Sequence, residues 1–385
     1  VSASEPAPVL FVVPEASAPS GGHTYDRRIA RALEAVLGAT ARQGRSNGAH
    51  GTIGGPAPDG AGVCGGGEPS GPPVRVVTVP GAWPRPGQDG ARALGSVLAG
   101  APEGARVLVD GLVACALPEV VVPCARRLRL HVLVHLPLAD ETGLAEVEAR
   151  DLDAREGAAL RCVDGVVATS AWAARRLVAH HGLAEDRVAV VRPGVEAARL
   201  APGSGFEAGS GRVPRLLCVA SLTPRKGHDV LFDALAPLVG LGWECVCAGP
   251  GTPPPLPGAL AGRVRFTGPV TGPELEDAYA SADLLVLPSR AETYGMVVTE
   301  ALARGVPVVA TRVGGVPEAL GRAPDGRLPG VLVPPEDAVA LERVLRGWLT
   351  DPGLRSGLRV AARLRREGLT RWPEAARELA AALGR

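Results

Sequence analysis

Residues 214–235 read PRLLCVASLTPRKGHDVLFDAL. Leu216, Leu217, Cys218 and Val219 form an uninterrupted apolar run, bounded by Pro214 on one side and by Ser221, Thr223 and Pro224 on the other. That is the signature of a strand buried on both faces. Beyond Gly227, Val230, Leu231 and Leu235 recur at helical spacing. A buried strand, a short turn and an amphipathic helix make the repeating unit of a parallel α/β sheet.

The same unit recurs in both directions. Toward the N-terminus the apolar runs are VLFVV (9–13), VRVVTV (74–79), ARVLVDG (105–111), LRLHVLVH (128–135), VDGVVATS (163–170) and RVAVVRPG (187–194). From 214 onward they are PRLLCVAS, WECVCAGP (243–250), RVRFTG (263–268), DLLVLPS (283–289), VPVVAT (306–311) and GVLVPP (330–335). Helical stretches alternate with these runs, so two Rossmann-like α/β domains are expected, residues 1–200 and 201–370. The Gly/Ser/Pro-rich APGSGFEAGSGR (201–212) reads as the linker between them. Residues 371–385, RWPEAARELAAALGR, read as a terminal helix. Residues 42–73 are polar and Gly-rich and read as an exposed, mobile insertion between the first helix and the second strand.

Composition excludes several classes. Residues 1–200 hold 20 Arg against 21 Asp+Glu, and residues 201–385 hold 21 Lys+Arg against 19, so neither half offers the clustered basic face of a nucleic-acid binder. The seven cysteines form no CxxC and several lie inside apolar runs, as buried thiols in a reducing compartment do. No apolar run is long enough to span a bilayer, and VSASEPAPVLFVVPEASAPS lacks the basic start of a signal peptide, so a soluble cytoplasmic chain is expected. His23, His180 and His181 read as surface residues without metal-ligating neighbours.

Lysine usage is the sharpest anomaly. Of 41 Lys+Arg side chains, Lys226 alone is lysine. It stands at the entrance of the helix after Gly227, where a cation opposes the helix dipole unless an anion shares the place. A phosphate contact wanting a compact ammonium, not a planar fork, satisfies that condition; chance survival on a solvated loop is the alternative. A second constellation lies in PSRAETYGMVVTEALARGVPVVATRVGGVPEAL (288–320). Glu292 falls in the turn after a strand and Glu300 in the following helix, with the helix N-terminus near Gly295 and Met296 between them. Carboxylates flanking an anion site accept hydrogen bonds from hydroxyls, here a sugar on one side and a ribose on the other.

The spacing E-x7-E of Glu292 and Glu300, with RKG (225–227), RPGV (192–195) and TRVGGVPE (311–318), resembles the retaining glycosyltransferases of family 4, across nearly the whole chain. The resemblance implies a GT-B fold: two Rossmann-like domains facing a cleft, with the terminal helix crossing back to the N-terminal domain. It implies that Lys226 holds the donor diphosphate, that Glu300 holds the ribose and that Glu292 meets the donor sugar's hydroxyls. Thr293, Tyr294, Gly295 and Met296 form the donor loop, joined by Gly314 and Gly315. Gly21 and Gly22 match the glycine loop after the first strand, and His135 matches the N-domain histidine near the reaction centre. One position departs from the pattern: Ser221 stands where a second phosphate-binding arginine is usual, and Arg225 is the candidate to compensate.

What the resemblance implies is therefore a hexosyltransferase that moves a sugar from a UDP- or GDP-sugar to an acceptor hydroxyl with retention, without metal or cofactor. Two rivals remain: a GT-B phosphorylase or epimerase, and a non-catalytic nucleotide-sugar-binding subunit.

Overall fold

A computed structural model of the chain describes residues 8–15, 20–48, 73–141, 143–206 and 210–384. Among the described residues, twelve strands form two wholly parallel six-stranded sheets. The first contains β1 (Val9–Pro14), β2 (Val74–Val79), β3 (Arg106–Asp110), β4 (Arg129–Val134), β5 (Gly165–Ala168) and β6 (Val188–Val190), in the order β2-β1-β3-β4-β5-β6. The second contains β7 (Arg215–Val219), β8 (Glu244–Ala248), β9 (Val264–Gly268), β10 (Leu284–Leu287), β11 (Val308–Thr311) and β12 (Gly330–Val333), in the order β12-β11-β10-β7-β8-β9. Each strand lies within its apolar run, save that β1 extends one residue beyond, to Pro14. Runs of this kind are legible because a parallel strand is covered on both faces.

Each sheet separates two cores. Val107 and Val109 of β3 pack with the helices Gly87–Ala99 and Glu146–Cys162, while Leu108 turns to the other face, toward the helix Gly21–Gly48. In the second sheet Leu217 of β7 faces one core, and Leu216 and Cys218 face the other. Cys115, Cys218, Cys245 and Cys247 are buried free thiols, whereas Cys162 is exposed.

The strand orders decide where a ligand can sit. Chain direction across a sheet reverses between β1 and β3, and between β7 and β10, and at such switch points the loops after the strands splay apart to leave a crevice. The loops after β7 and β10 carry Lys226 and Glu292. Around the first reversal, the end of β3, the loop after β4 and the start of the helix Gly21–Gly48 carry Asp110, His135 and Gly22.

The chain crosses between domains twice, and the two crossings pair. Val195 N donates to Thr370 O at 2.9 Å, and Val195 bridges Arg371 in parallel. A side chain at Gly194 would come to 2.4 Å from Trp372 N, which explains why RPGV needs its glycine. The helix Trp372–Leu383 then packs on Gly21–Gly48, burying Trp372, Ala375, Ala376, Leu379 and Leu383 in the N-terminal core. Trp372 meets the Tyr25 ring edge-on at 5.5 Å, and the Tyr25 hydroxyl donates to Val191 O at 3.1 Å.

The insertion read as 42–73 begins later than expected, because the first helix runs on to Gly48. Residues 49–72 lie outside the described residues.

Trp372→Ala removes the largest side chain joining the returning helix to the N-terminal domain. It is expected to lower the unfolding free energy by about 3–5 kcal/mol in urea denaturation. A loss below about 1 kcal/mol, a surface-like effect, would show that the return crossing contributes little.

Candidate functional site

After β7 the chain makes a tight turn, Pro224–Lys226, and Gly227 at φ 68° redirects it into the helix His228–Leu235. A Cβ at Gly227 would lie 2.2 Å from Pro288 O, so the turn is pressed against the loop after β10. That approach delivers Lys226 Nζ to Glu292 Oε1, a hydrogen-bonded ion pair. Ser289 Oγ donates to the same carboxylate oxygen at 2.9 Å. The two charged side chains are 15% and 10% exposed, which places the pair in a crevice where neither is solvated fully. The anion that the sequence demands beside Lys226 is thus present as the protein's own carboxylate.

Arg225 does not join this pair. Its Nε donates to Glu141 Oε1 of the N-terminal domain at 3.1 Å, and Nη1 donates to Ala291 O at 3.2 Å. The guanidinium expected to compensate for Ser221 is committed to a contact between domains in this arrangement. Ser221 itself follows β7 and its carbonyl accepts from Thr223 N at 2.9 Å.

Glu292 precedes the helix Met296–Ala303, entered through Gly295 at φ 87°. Thr293 is half-buried, and burial pushes the Tyr294 hydroxyl up to about 12. Met296 touches a core of each domain. Glu300 is half-buried one turn into the helix, where its Oε2 accepts from Tyr279 OH at 2.9 Å. Burial raises the Glu300 pKa, and the Tyr279 hydrogen bond and the Arg28 and Arg304 charges oppose that rise. Gly314 and Gly315 have a packing role: a Cβ would lie 1.6 Å from Glu292 O at Gly314 (φ 49°) and 2.2 Å from Thr293 O at Gly315. They let the loop after β11 clamp the backbone that carries Glu292.

On the opposite side of the cleft, Gly21 and Gly22 open the first helix. Gly21 faces open space, whereas a Cβ at Gly22 would lie 3.2 Å from His135 Cδ2. His135 Nε2 hydrogen-bonds Asp26 Oδ1 at 2.8 Å and lies 3.3 Å from Asp110 Oδ2, with the Tyr25 ring edge-on at 5.1 Å. Asp110 also accepts from Leu112 N at 2.6 Å, capping the turn after β3. The histidine expected from the sequence thus has two buried carboxylate partners, Asp26 and Asp110, that sequence reasoning missed. A signal existed: Asp110 ends an otherwise apolar strand at its C-terminal edge, where ligand sites form.

Glu318 was also missed as a functional contact. Its Oε2 accepts from Ala171 N at 2.9 Å, at the N-terminus of the helix Ala171–His181, and its Oε1 takes Arg192 Nε. A carboxylate from the C-terminal domain therefore caps an N-terminal-domain helix, where negative charge is favoured.

The histidine pair needs correction. His181 is buried and bonded to Glu156 at 3.0 Å, and His180 is bonded to Asp153 at 2.5 Å. The carboxylates come from the helix Glu146–Cys162, far away in sequence, so no local spacing announces them. Among the described residues, two groups bring three potential metal-ligand atoms within 4.8 Å: Asp153/His180/His181 and Asp26/Asp110/His135. In both, an internal hydrogen bond already pairs Nε2 of each histidine with a carboxylate. No described helix is long and apolar enough to cross a membrane.

Residues 213–351 match the family described as Glycosyl transferases group 1. The chain is similar to D-inositol 3-phosphate glycosyltransferase 1 of Catenulispora acidiphila, 35% identical over 259 residues, 59% of this chain and 59% of that protein. It is similar to D-inositol 3-phosphate glycosyltransferase of Streptomyces avermitilis, 34% identical over 263 residues, 61% of this chain and 55% of the relative. The matches thus span little more than half of these relatives' length. Two solved structures share the fold. HepE of Anabaena, crystallised with UDP and glucose, is 16% identical with a TM-score of 0.66, over 97% of this chain and 99% of that one. Sucrose-phosphate synthase of Thermosynechococcus elongatus is 20% identical with a TM-score of 0.68, over 97% of each chain. The fold is GT-B, and the match over residues 213–351 agrees with the glycosyltransferase resemblance read from the sequence.

Glu318→Ala leaves Ala171 N–H and the Arg192 guanidinium without their carboxylate. The expected loss of unfolding free energy is about 1–2 kcal/mol, reduced from a buried charged contact because Arg192 is partly solvated. Small-angle scattering should show a larger radius of gyration; wild-type stability and radius together would remove Glu318 from the domain contact.

Proposed function

We propose that the chain is a retaining, metal-independent hexosyltransferase that uses a UDP- or GDP-sugar and an acceptor hydroxyl. One observation carries the reading: the switch-point loops of the C-terminal sheet bring Lys226, Glu292 and the start of the helix bearing Glu300 to one crevice, opposite His135. The names of the relatives support glycosyl transfer to a phosphorylated cyclitol, and the HepE structure with UDP and glucose supports a nucleotide-sugar donor.

In this reading the diphosphate lies between Lys226 and the N-terminus of Met296–Ala303, and Glu300 accepts from the ribose hydroxyls. Glu292, released from Lys226 by the incoming phosphate, accepts from the sugar hydroxyls. The bond between the anomeric carbon and the phosphate oxygen breaks, and the acceptor oxygen bonds to that carbon on the same face. The acceptor's proton passes to the departing phosphate. Lys226 stabilises the charge growing on the leaving group, and a preorganised cation in a partly dehydrated crevice contributes several kcal/mol to such a step. Release of nucleoside diphosphate from a panel of nucleotide sugars, with D-inositol 3-phosphate as acceptor, tests the activity; absence of release from every donor, with this or any other polyol, would overturn it. The commitment of Arg225 to Glu141, with Ser221 uncharged, favours a second reading as a nucleotide-sugar-binding subunit. In that case donors bind without turnover.

Two further outcomes are expected. EDTA should leave turnover unchanged; complete loss restored by Mg²⁺ or Mn²⁺ would contradict cation-held phosphates. Glu300→Ala should weaken binding of free UDP or GDP by roughly 1.5–3 kcal/mol, the worth of a charged hydrogen bond, in calorimetric titration. Glu292→Ala should leave nucleotide affinity equal or stronger while lowering turnover, because it frees Lys226. Equal losses of nucleotide affinity in both variants would overturn the division of roles.

A further inference from the structure

We infer that Asp26 and Asp110 are positioning residues that hold the His135 ring by Nε2–H and so present Nδ1–H to the cleft, making His135 a fixed cationic donor to a substrate hydroxyl and not a base. The inference rests on the proposed glycosyl transfer for its consequence in turnover, but the geometry stands apart from it.

Three elements converge on the ring. The helix Gly21–Gly48 supplies Asp26, whose Oδ1 is 2.8 Å from Nε2, and Tyr25, whose ring meets the imidazole edge-on and whose hydroxyl is turned away to Val191 O. The end of β3 supplies Asp110, with Oδ2 at 3.3 Å from the same nitrogen. Gly22 packs against Cδ2, where a Cβ would lie 3.2 Å away and the ring would have to give by a few tenths of an ångström. Both carboxylates are nearly solvent-free, and Asp26 Oδ2 has no hydrogen-bond partner. Nδ1 has no hydrogen-bond partner among the described residues and is not fully buried. The ring is therefore held through one nitrogen and open through the other. A nitrogen facing two carboxylate oxygens carries its proton, and the buried negative charge makes removal of the second proton costly.

The titration directions agree with this arrangement. Burial opposes a charged His135, yet the Asp26 and Asp110 charges and hydrogen bonds outweigh it and raise its pKa to about 10. Burial and the neighbouring Asp110 push Asp26 up to about 7, against the pull of His135. Asp110, despite burial, is held below its ordinary value by His135, by Asp26 and by Leu112 N. The signs follow by linkage. The His135 contribution to stability is complete below about pH 6.5, the unfolded value, and is lost as pH rises toward about 10. Asp26 acts in the same direction between the carboxylate range and about 7. Asp110 acts oppositely, its contribution being lost in acid.

The test uses the full chain with ¹⁵N-labelled histidine. The His135 ring, assigned by His135→Gln, should show both nitrogens protonated through about pH 8, well above the ordinary histidine range. Asp26→Asn should lower its titration by roughly one to three pH units and lower kcat with little change in the KM for donor; Asp110→Asn should move it in the same direction. Asp26→Glu, which keeps the charge, should restore the titration in part. The alkaline fall in thermal stability should be reduced in His135→Gln. A neutral His135 at about pH 7.5 in the wild type would overturn the inference, as would an Asp26→Asn protein that is folded by circular dichroism with the wild-type His135 titration. A correct titration in a chain without transferase activity would instead overturn the proposed function and leave the positioning intact.

Discussion

The ion pair between Lys226 and Glu292 ties together the two loops that flank the switch point of the C-terminal sheet. It forms because two loops leave neighbouring parallel strands, β7 and β10, at the point where the sheet reverses direction. Gly227 permits the close approach, Gly314 and Gly315 press the Glu292 backbone into place, and Ser289 supplies a second donor to the carboxylate. A poorly solvated charge without a partner is costly, so the free protein satisfies each group with the other. In the function proposed above, a donor carrying both an anion and hydroxyls takes the place of that mutual contact, its phosphate at Lys226 and its hydroxyls at Glu292.

The arginines show why this position differs. Arg127 donates to Ala101 O and Leu98 O, Arg263 to Leu241 O and Val239 O, Arg355 to Trp348 O and Leu349 O, and Arg366 to Ala303 O and Ala198 O. A planar fork bridges pairs of carbonyls at helix ends and loops, a role that suits guanidinium. Lys226 instead meets a single carboxylate oxygen, Glu292 Oε1, as a largely buried point charge. The domain contacts follow similar chemistry: Glu318 takes a helix N-terminus and a guanidinium, and Arg225 reaches Glu141. Cleft geometry therefore depends on a few polar contacts near the crevice together with the apolar seal around Trp372.

Much of this was legible in the sequence. The strands show as apolar runs because both faces are covered, and the E-x7-E spacing shows because a short turn and one helix fix both glutamates locally. RPGV signals a close approach, but its partner, Trp372 N, lies at the far end of the chain. Asp26, Asp110, Glu141 and Glu318 gave no local signal of their partners, since each bond spans distant segments. His181 looked like half of a surface pair because Glu156, which buries with it, belongs to another helix. Arg225 was expected to serve phosphate because it adjoins Lys226, yet adjacent residues in a tight turn point different ways, and it points to the other domain.

The most direct test of the account is calorimetric titration of UDP and GDP into wild type, Lys226→Ala and Lys226→Arg, with turnover measured on the same preparations. The account predicts that Lys226→Ala loses most nucleotide affinity and turnover, and that Lys226→Arg is impaired as well, because a wider, planar guanidinium replaces a compact point charge. An arginine variant that binds and turns over like the wild type would contradict it and make the chain's one lysine an accident of composition.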